Sequence, residues 1–96
     1  KVGPLFLDSA THIARLNERK LALTPKEFSL LALLMRNASL VLSLDTILEQ
    51  VWGYDYFGSS KTVSVYVRKL RAKLGRSAHL IQNVRGVGYK LEVGKN

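Results

Sequence analysis

The best-defined structural signal in this sequence is a helix start at Thr24. Pro25 follows the threonine directly, and Glu27 lies three positions after it. A threonine at the N-cap, a proline at the first helical position and a glutamate at the third form a capping box, which fixes where a helix begins. The residues that follow predict a helix over 25–36 that is apolar on most faces, as is typical of a central helix packed by several neighbours.

Two further helices are predicted after this core helix. Ser43 is a suitable N-cap for a short helix from Leu44 to about Trp52, and Gly53 supplies its stop. A third helix is predicted over 61–74, because apolar residues recur there at helical spacing and would bury one face. The residues of that face are Val63, Val67, Leu70 and Leu74.

Short strands are predicted on both sides of the helices. Before them, apolar stretches at 5–7, 12–16 and 21–23 predict small antiparallel strands, with a turn over 17–20. After them, two strand-like runs around a glycine-bearing turn at 85–88 predict a β-hairpin. The sequence therefore predicts one α+β domain over residues 1–96.

Composition excludes several classes of protein. With 96 residues and 47% hydrophobic content, the chain is long enough for one modest core. It contains no cysteine, and its two histidines lack the paired spacing of metal ligands, so we expect no metal and no cofactor. The carboxylates are scattered along the sequence without a paired site, which argues against an enzyme.

No apolar run is long enough to span a membrane, and no signal peptide opens the chain, so we expect a soluble protein. The first residue is Lys1 and not a methionine, which suggests a piece of a longer polypeptide.

The formal charge of +8 is confined to one stretch of the chain. Residues 56–91 carry eight basic residues and no acidic residue, whereas the bases and acids of residues 1–55 balance. Such a one-signed segment is typical of a surface that binds a polyanion, such as nucleic acid or an anionic membrane. The eight bases are Lys61, Arg68, Lys69, Arg71, Lys73, Arg76, Arg85 and Lys90.

The outer face of the third predicted helix carries basic side chains and small side chains. Lys61, Val65 and Arg68 lie opposite its buried stripe, and Thr62 and Ser64 flank them. A major groove admits one helix, and lysine, arginine, serine and the valine methyls all have partners on base edges. The alternative is a solvated amphipathic helix, but such a helix usually mixes both charges.

Two loops also carry candidate functional residues. Arg85 lies on a narrow hairpin tip beside Gly86, a shape suited to a minor groove, although a turn arginine in water is the simpler alternative. The loop after the second helix is rich in aromatic residues. Trp52 is expected to close the core beneath it, and the others are expected to form a protein-contact surface.

Four segments together resemble the winged-helix effector domain of OmpR/PhoB-type bacterial response regulators. They are Leu23 to Leu31, Ile47 to Gly53, Lys61 to Arg71, and Ile81 to Tyr89. The resemblance covers nearly the whole chain and implies a winged helix-turn-helix with a four-stranded N-terminal sheet. It also implies a bacterial cytoplasmic regulator of transcription, with a receiver domain ahead of Lys1 and a sensor kinase acting on it.

The resemblance implies roles for particular residues. Helix 61–74 would enter the major groove of double-stranded DNA, wing 84–89 would reach the minor groove, and two domains would bind direct-repeat half-sites as a tandem dimer. The expected DNA-binding residues are Lys61, Thr62, Ser64, Val65, Arg68, Lys69, Arg71, Lys73, Arg85 and Gly86. The loop expected to contact RNA polymerase contains Trp52, Tyr54, Asp55, Tyr56 and Phe57.

The chain departs from the family pattern at positions that bear on base preference. Ser60 and Lys61 stand where relatives often carry an acidic residue and an arginine, and Ser64 stands where an aspartate is common. Lys69 replaces a common arginine and lacks its bidentate fork. Two alternatives to DNA binding are an RNA-binding domain, which would stack bases on sheet aromatics, and a protein-interaction module for an acidic partner.

Overall fold

The computed structural model describes residues 1–53 and 59–93. Three strands are followed by three helices, and a β-hairpin completes the fold. In chain order the elements are β1 Leu5–Asp8, β2 Ile13–Leu16, β3 Arg19–Leu21, α1 Pro25–Arg36, β4 Leu42–Ser43, α2 Leu44–Val51, α3 Lys61–Leu74, a 3₁₀ helix Gly75–Leu80, β5 Ile81–Val84 and β6 Gly88–Leu91.

The predicted helix starts are confirmed by their caps. The hydroxyl of Thr24 accepts from the Glu27 amide at 3.3 Å, and the Glu27 carboxylate accepts from the Thr24 amide at 2.9 Å. Both halves of the capping box are therefore formed. Ser43 caps α2 by accepting from the Thr46 amide at 3.1 Å. The second helix ends at Val51, one residue before the predicted end.

The core lies between the three α-helices and the two sheets. Leu30, Leu31 and Leu34 of α1 are buried, in agreement with a helix packed on most sides. The predicted buried stripe of α3 is confirmed, since all four of its residues are at most 1% exposed. Each such side chain contributes about 1.5–3 kcal/mol on burial, so this stripe fixes which face of α3 is left for solvent.

The N-terminal sheet has three antiparallel strands among the described residues, in the order β1-β2-β3. The prediction of a fourth strand in this sheet is therefore wrong. The chain turns tightly at Gly3, whose φ is 53°, and Val2 pairs only with Leu5. The predicted turn over 17–20 is too long. Leu16 pairs with Arg19, which leaves a two-residue turn in which Asn17 adopts a φ of 56°.

The C-terminal hairpin belongs to a second sheet, ordered β4-β6-β5. Val84 pairs with Gly88, so the tip consists of three residues, and Gly86 adopts the left-handed region at a φ of 79°. Gly88 also faces β4 at very short range, because a Cβ at this position would overlap the carbonyl oxygen of Leu42. The predicted hairpin is thus confirmed, and β4 fixes its base.

Some sequence predictions fall outside the described residues. Tyr54, Asp55, Tyr56 and Phe57, four of the five residues of the expected polymerase-contact loop, lie in the segment 54–58. Within residues 1–53 and 59–93, no helix is both long and apolar enough to cross a membrane. The same residues contain no cluster of three or more potential metal ligands.

Candidate nucleic-acid interface

The outer face of α3 presents basic and small side chains to solvent. Lys61, Val65, Arg68 and Lys69 are exposed, and Ser64 beside them is half-buried. Thr62 is also half-buried. Val65 is 38% exposed although it is apolar, which leaves its methyl groups accessible at the centre of the face. The structure therefore brings six of the predicted DNA-binding residues onto one surface.

The tip of the hairpin projects beyond the sheet. Arg85, Gly86 and Val87 are all exposed, and the Val87 amide closes the turn by donating to the Val84 carbonyl at 2.9 Å. The positive φ of Gly86 is a conformation that a residue with a Cβ adopts only with strain. Arg85 thus stands at the end of a narrow, hydrogen-bonded turn, where sequence reasoning placed it.

A cleft of about 300 Å³ separates the start of α3 from the hairpin. Ser64 lies on its helix side and Asn83, Gly86 and Tyr89 on its hairpin side. The hydroxyls of Ser64 and Tyr89 lie 3.3 Å apart, within hydrogen-bond distance. Sequence reasoning missed Tyr89 as a residue of this surface. Tyr89 stands opposite Asn83 in the hairpin and is only 6% exposed, so no pattern of exposed residues in the sequence marked it.

Lys69 is the last member of a row of cations and aromatic rings that crosses from α1 to α3. Its Nζ lies 4.9 Å from the centre of the Tyr66 ring, and that ring meets Trp52 edge-on at 5.1 Å. Lys26 lies 5.7 Å from the Trp52 ring and donates to the Val51 carbonyl at 2.9 Å. Trp52 is half-buried and packs against the core, as predicted for this residue. The Lys69 ammonium group therefore lies over the Tyr66 ring while its side chain stays exposed.

Two of the predicted DNA-binding side chains are not on the outer face. Arg71 is half-buried and donates to the carbonyl oxygen of Ile81 through Nε at 3.1 Å and Nη2 at 2.6 Å. Lys73 is half-buried, pairs with the Glu27 carboxylate at 2.5 Å and donates to the Ala22 carbonyl at 2.7 Å. Both side chains bend toward other elements of the fold, because the C-terminal half of α3 packs beside the capping box of α1 and the 3₁₀ helix.

Glu27 is the one buried charged side chain among the described residues, with 2% of its surface exposed. Burial alone would raise the pKa of its carboxyl group. The hydrogen bond from Lys73, the hydrogen bond from the Thr24 amide and the positive charge of Lys73 together hold this pKa below its ordinary value. The ion pair therefore stabilises the folded state when Glu27 is ionised, and it joins α1 to α3.

This ion pair predicts a pH-dependent stability. The folded pKa of Glu27 is lower than its unfolded value, so the stabilisation is complete above about pH 4.3 and is lost as the pH falls through the folded pKa. We expect Glu27→Gln to lower the melting temperature near neutral pH, and the difference from the native chain to shrink in acid. Thermal unfolding at a series of pH values measures both curves. Glu49→Gln, at an exposed position of α2, is the control, and a difference for Glu27→Gln that stays constant with pH would contradict the assignment.

The basic residues that remain exposed define the electrostatics of the face. Lys61 and Arg68 of α3, Arg76 of the 3₁₀ helix and Arg85 of the tip form no ion pair among the described residues. Lys90 lies 3.4 Å from Glu92, so its charge is partly offset within β6 and its continuation. The exposed bases of residues 59–93 therefore lie on the outer face of α3, on the 3₁₀ helix and on the hairpin tip.

The packing of α2 and α3 against α1, with a hairpin beside them, defines a winged helix-turn-helix, a class in which the last helix is placed to enter a major groove. Residues 18–91 match the family described as "Transcriptional regulatory protein, C terminal". The chain belongs to this family, the OmpR/PhoB-type DNA-binding domains of transcriptional regulators, which are not enzymes.

Relatives in bacteria share this sequence over nearly its full length. The chain is 44% identical over 94 residues to the sensory transduction protein RegX3 of Mycobacterium leprae, covering 94% of this chain and 47% of RegX3. It is 40% identical over 96 residues to the transcriptional regulatory protein SrrA of Staphylococcus aureus, covering 96% of this chain and 40% of SrrA. The chain thus spans less than half the length of these relatives.

Solved structures of DNA-binding domains match the fold. The DNA-binding domain of CpxR from E. coli superposes with a TM-score of 0.85 at 26% identity, covering 99% of this chain and 96% of that one. The DNA-binding domain of RstA from Klebsiella pneumoniae, solved in complex with the RstA box, gives a TM-score of 0.84 at 27% identity, covering 96% and 94%.

Proposed function

We propose that this domain binds double-stranded DNA sequence-specifically and regulates transcription as the output domain of a two-component response regulator. The observation that carries the proposal is the outer face of α3, where exposed cations surround small side chains and no acid intervenes. Because Val65 is small and both Val65 and Arg68 are exposed, the helix backbone is able to approach base edges closely. The complex of the related RstA domain with its box supports the same use of the fold.

The proposed major-groove contacts come from the exposed residues of α3. Lys61, Arg68 and Lys69 are suited to guanine edges or phosphates, and Val65 is suited to a thymine methyl group. The hydroxyls of Thr62 and Ser64 stand at the edge of the same face. Arg71 and Lys73 do not belong to this proposed set, because their side chains are engaged with Ile81 and Glu27.

The proposed minor-groove contact comes from Arg85 at the wing tip. A narrow minor groove has a strongly negative potential that attracts an inserted arginine, and a glycine beside the arginine keeps the tip slim. RNA binding is a weaker candidate. Among described aromatic residues on strands, Phe6 alone is substantially exposed, and one exposed ring does not form a stacking platform.

A test of the two grooves compares Arg85→Ala with Lys69→Ala on duplexes that differ only in the flank of the half-site. Minor-groove readout senses groove width, which A-tracts narrow. We expect Arg85→Ala to cost about 1–3 kcal/mol of binding free energy on an A/T-rich flank and clearly less on a G/C-rich flank. We expect Lys69→Ala to lose affinity or base preference within the half-site on both flanks. Titration at one fixed salt concentration measures all four combinations.

An equal loss for Arg85→Ala on both flanks would assign Arg85 to a phosphate contact and remove the minor-groove role. The duplex for these titrations comes from selection out of a random pool. Selection is needed because Lys61, Ser64 and Lys69 differ from the residues common in the family. The operator of a relative therefore does not replace a selected duplex.

The proposal extends to partners of the complete protein. We infer binding to direct-repeat half-sites as a tandem dimer, a phosphorylated receiver domain controlled by a sensor kinase, and location in the bacterial cytoplasm. We also infer a contact between RNA polymerase and the loop that starts at Trp52. Replacing Asp55 or Tyr56 with alanine should leave DNA binding unchanged and alter transcription by purified polymerase. A parallel loss of DNA binding would assign the loop to the fold or the groove instead.

A further inference from the structure

One arginine side chain of α3, Arg71, contacts both strands of the hairpin. Both Nε and Nη2 of Arg71 donate to the carbonyl oxygen of Ile81, the first residue of β5. The same guanidinium lies 5.9 Å from the centre of the Tyr89 ring on β6. A single side chain therefore contacts both strands of the hairpin, and its two hydrogen bonds define a direction as well as a distance.

A second contact lies two turns earlier on α3. Ser64 precedes Arg71 by seven residues, so both side chains leave the same side of the helix. The Ser64 hydroxyl meets the Tyr89 hydroxyl at 3.3 Å. The hairpin is thus held at two points along α3, and Arg71 provides the contact with the shorter and charge-assisted bonds.

We propose that Arg71 is a positioning residue, which sets the angle of the wing so that Arg85 and the outer face of α3 meet one duplex together. This inference rests on the proposed function. The Nε and Nη2 donors form one of the edges with which an arginine binds a phosphate in a bidentate manner, and here the Ile81 carbonyl occupies that edge. Arg71 acts on DNA through Arg85, although the two side chains belong to different elements.

The test is a double-mutant cycle between Arg71→Met and Arg85→Ala. Methionine retains most of the apolar stem of Arg71 and removes its donors. On a selected duplex with an A/T-rich flank, Arg71→Met should weaken binding roughly tenfold, comparable with the loss of one specific contact. In the Arg85→Ala background the same change should weaken binding less than about twofold, because the contact that Arg71 positions is already absent.

Two further variants separate positioning from a direct charge contact. Arg71→Lys keeps the charge and loses the fork, so it should lose most of the affinity that Arg71→Met loses. A phosphate-contact role predicts instead that lysine retains the affinity. Arg76→Ala, at an exposed position of the 3₁₀ helix, is the matched control and should have the same effect in both backgrounds. If Arg71→Met does not fold, the cycle is run with Arg71→Lys.

The possible outcomes distinguish the two proposals. If Arg85→Ala alone has no effect, the wing does not read DNA, and both the minor-groove role and the positioning role are wrong. If Arg85→Ala weakens binding and Arg71→Met weakens it by the same factor in both backgrounds, the wing reads DNA and the positioning role is wrong. Amide hydrogen exchange of the free domain adds an independent measurement, since loss of Arg71 should accelerate exchange in β5 and β6 and leave α1 unchanged.

Discussion

Raising the salt concentration from about 50 mM to about 200 mM should lower the affinity of this domain for duplex DNA roughly 150- to 500-fold. The range follows from the number of basic side chains that the fold leaves exposed. Lys61, Arg68, Lys69 and Arg85 face the proposed interface, and Arg76 is a fifth exposed base nearby. At about −0.9 per neutralised phosphate, four or five contacts give a slope of log K against log salt of about −3.6 to −4.5.

Single substitutions assign this slope to particular residues. Arg68→Ala should make the slope shallower by about 0.9, the value for one phosphate contact, if Arg68 binds a phosphate. Arg36→Ala is the matched control, because Arg36 is exposed at the end of α1 and belongs to the electrically balanced part of the chain. Fluorescence titration of a labelled duplex over a salt series gives all three slopes. A slope near zero for the native domain would refute nucleic-acid binding through the basic face.

Replacing Gly88 with alanine should cost at least about 3 kcal/mol of folding stability, at the upper end of overpacking effects. The added Cβ would overlap the Leu42 carbonyl oxygen, a backbone atom of β4 that cannot rotate away as a flexible side chain does. For a domain of this size a cost of about 3 kcal/mol lowers the melting temperature by roughly 12–24 °C. Thermal unfolding followed by circular dichroism measures the change.

Gly86→Ala is the matched control for this prediction. Gly86 has open space where a Cβ would lie, and its cost comes only from a left-handed φ of 79°. That strain is about 1–2 kcal/mol, so Gly86→Ala should be clearly the milder variant. If the two variants unfold at the same temperature, the close approach of β4 and β6 at Gly88 does not hold.

The sequence predicted the helices because their signals are local. The capping box at Thr24 needs only four consecutive residues, and the stripe of α3 repeats within one helix. The hairpin had a similarly local signal in its glycines. The strand boundaries predicted from the sequence were less accurate. Arg19 and Lys20 are exposed and polar, so they were assigned to a turn although they pair with β2.

The candidate site was predictable only where side chains point to solvent. The outward direction of Lys61 and Arg68 follows from helical geometry alone. The engagement of Lys73 with Glu27 joins residues 46 positions apart, and that of Arg71 with Ile81 joins different elements. No periodicity within α3 contains this information, because it depends on how α3 is seated against α1 and the hairpin. The net charge includes these two cations as if they were exposed, whereas in the folded domain both side chains bind to other elements of the same chain.

The separation of buried and exposed residues on α3 also affects how such a domain acquires a new DNA target. Val63, Val67, Leu70 and Leu74 hold the helix in place, whereas Lys61, Val65, Arg68 and Lys69 are exposed and contribute little to the core. Surface substitutions of this kind usually change folding stability by only about 0.5 kcal/mol. Under the proposed DNA contacts, a duplicated gene copy of this domain would change its operator by substitutions at the exposed positions while its scaffold stays intact, which would make α3 a natural unit for engineering altered specificity.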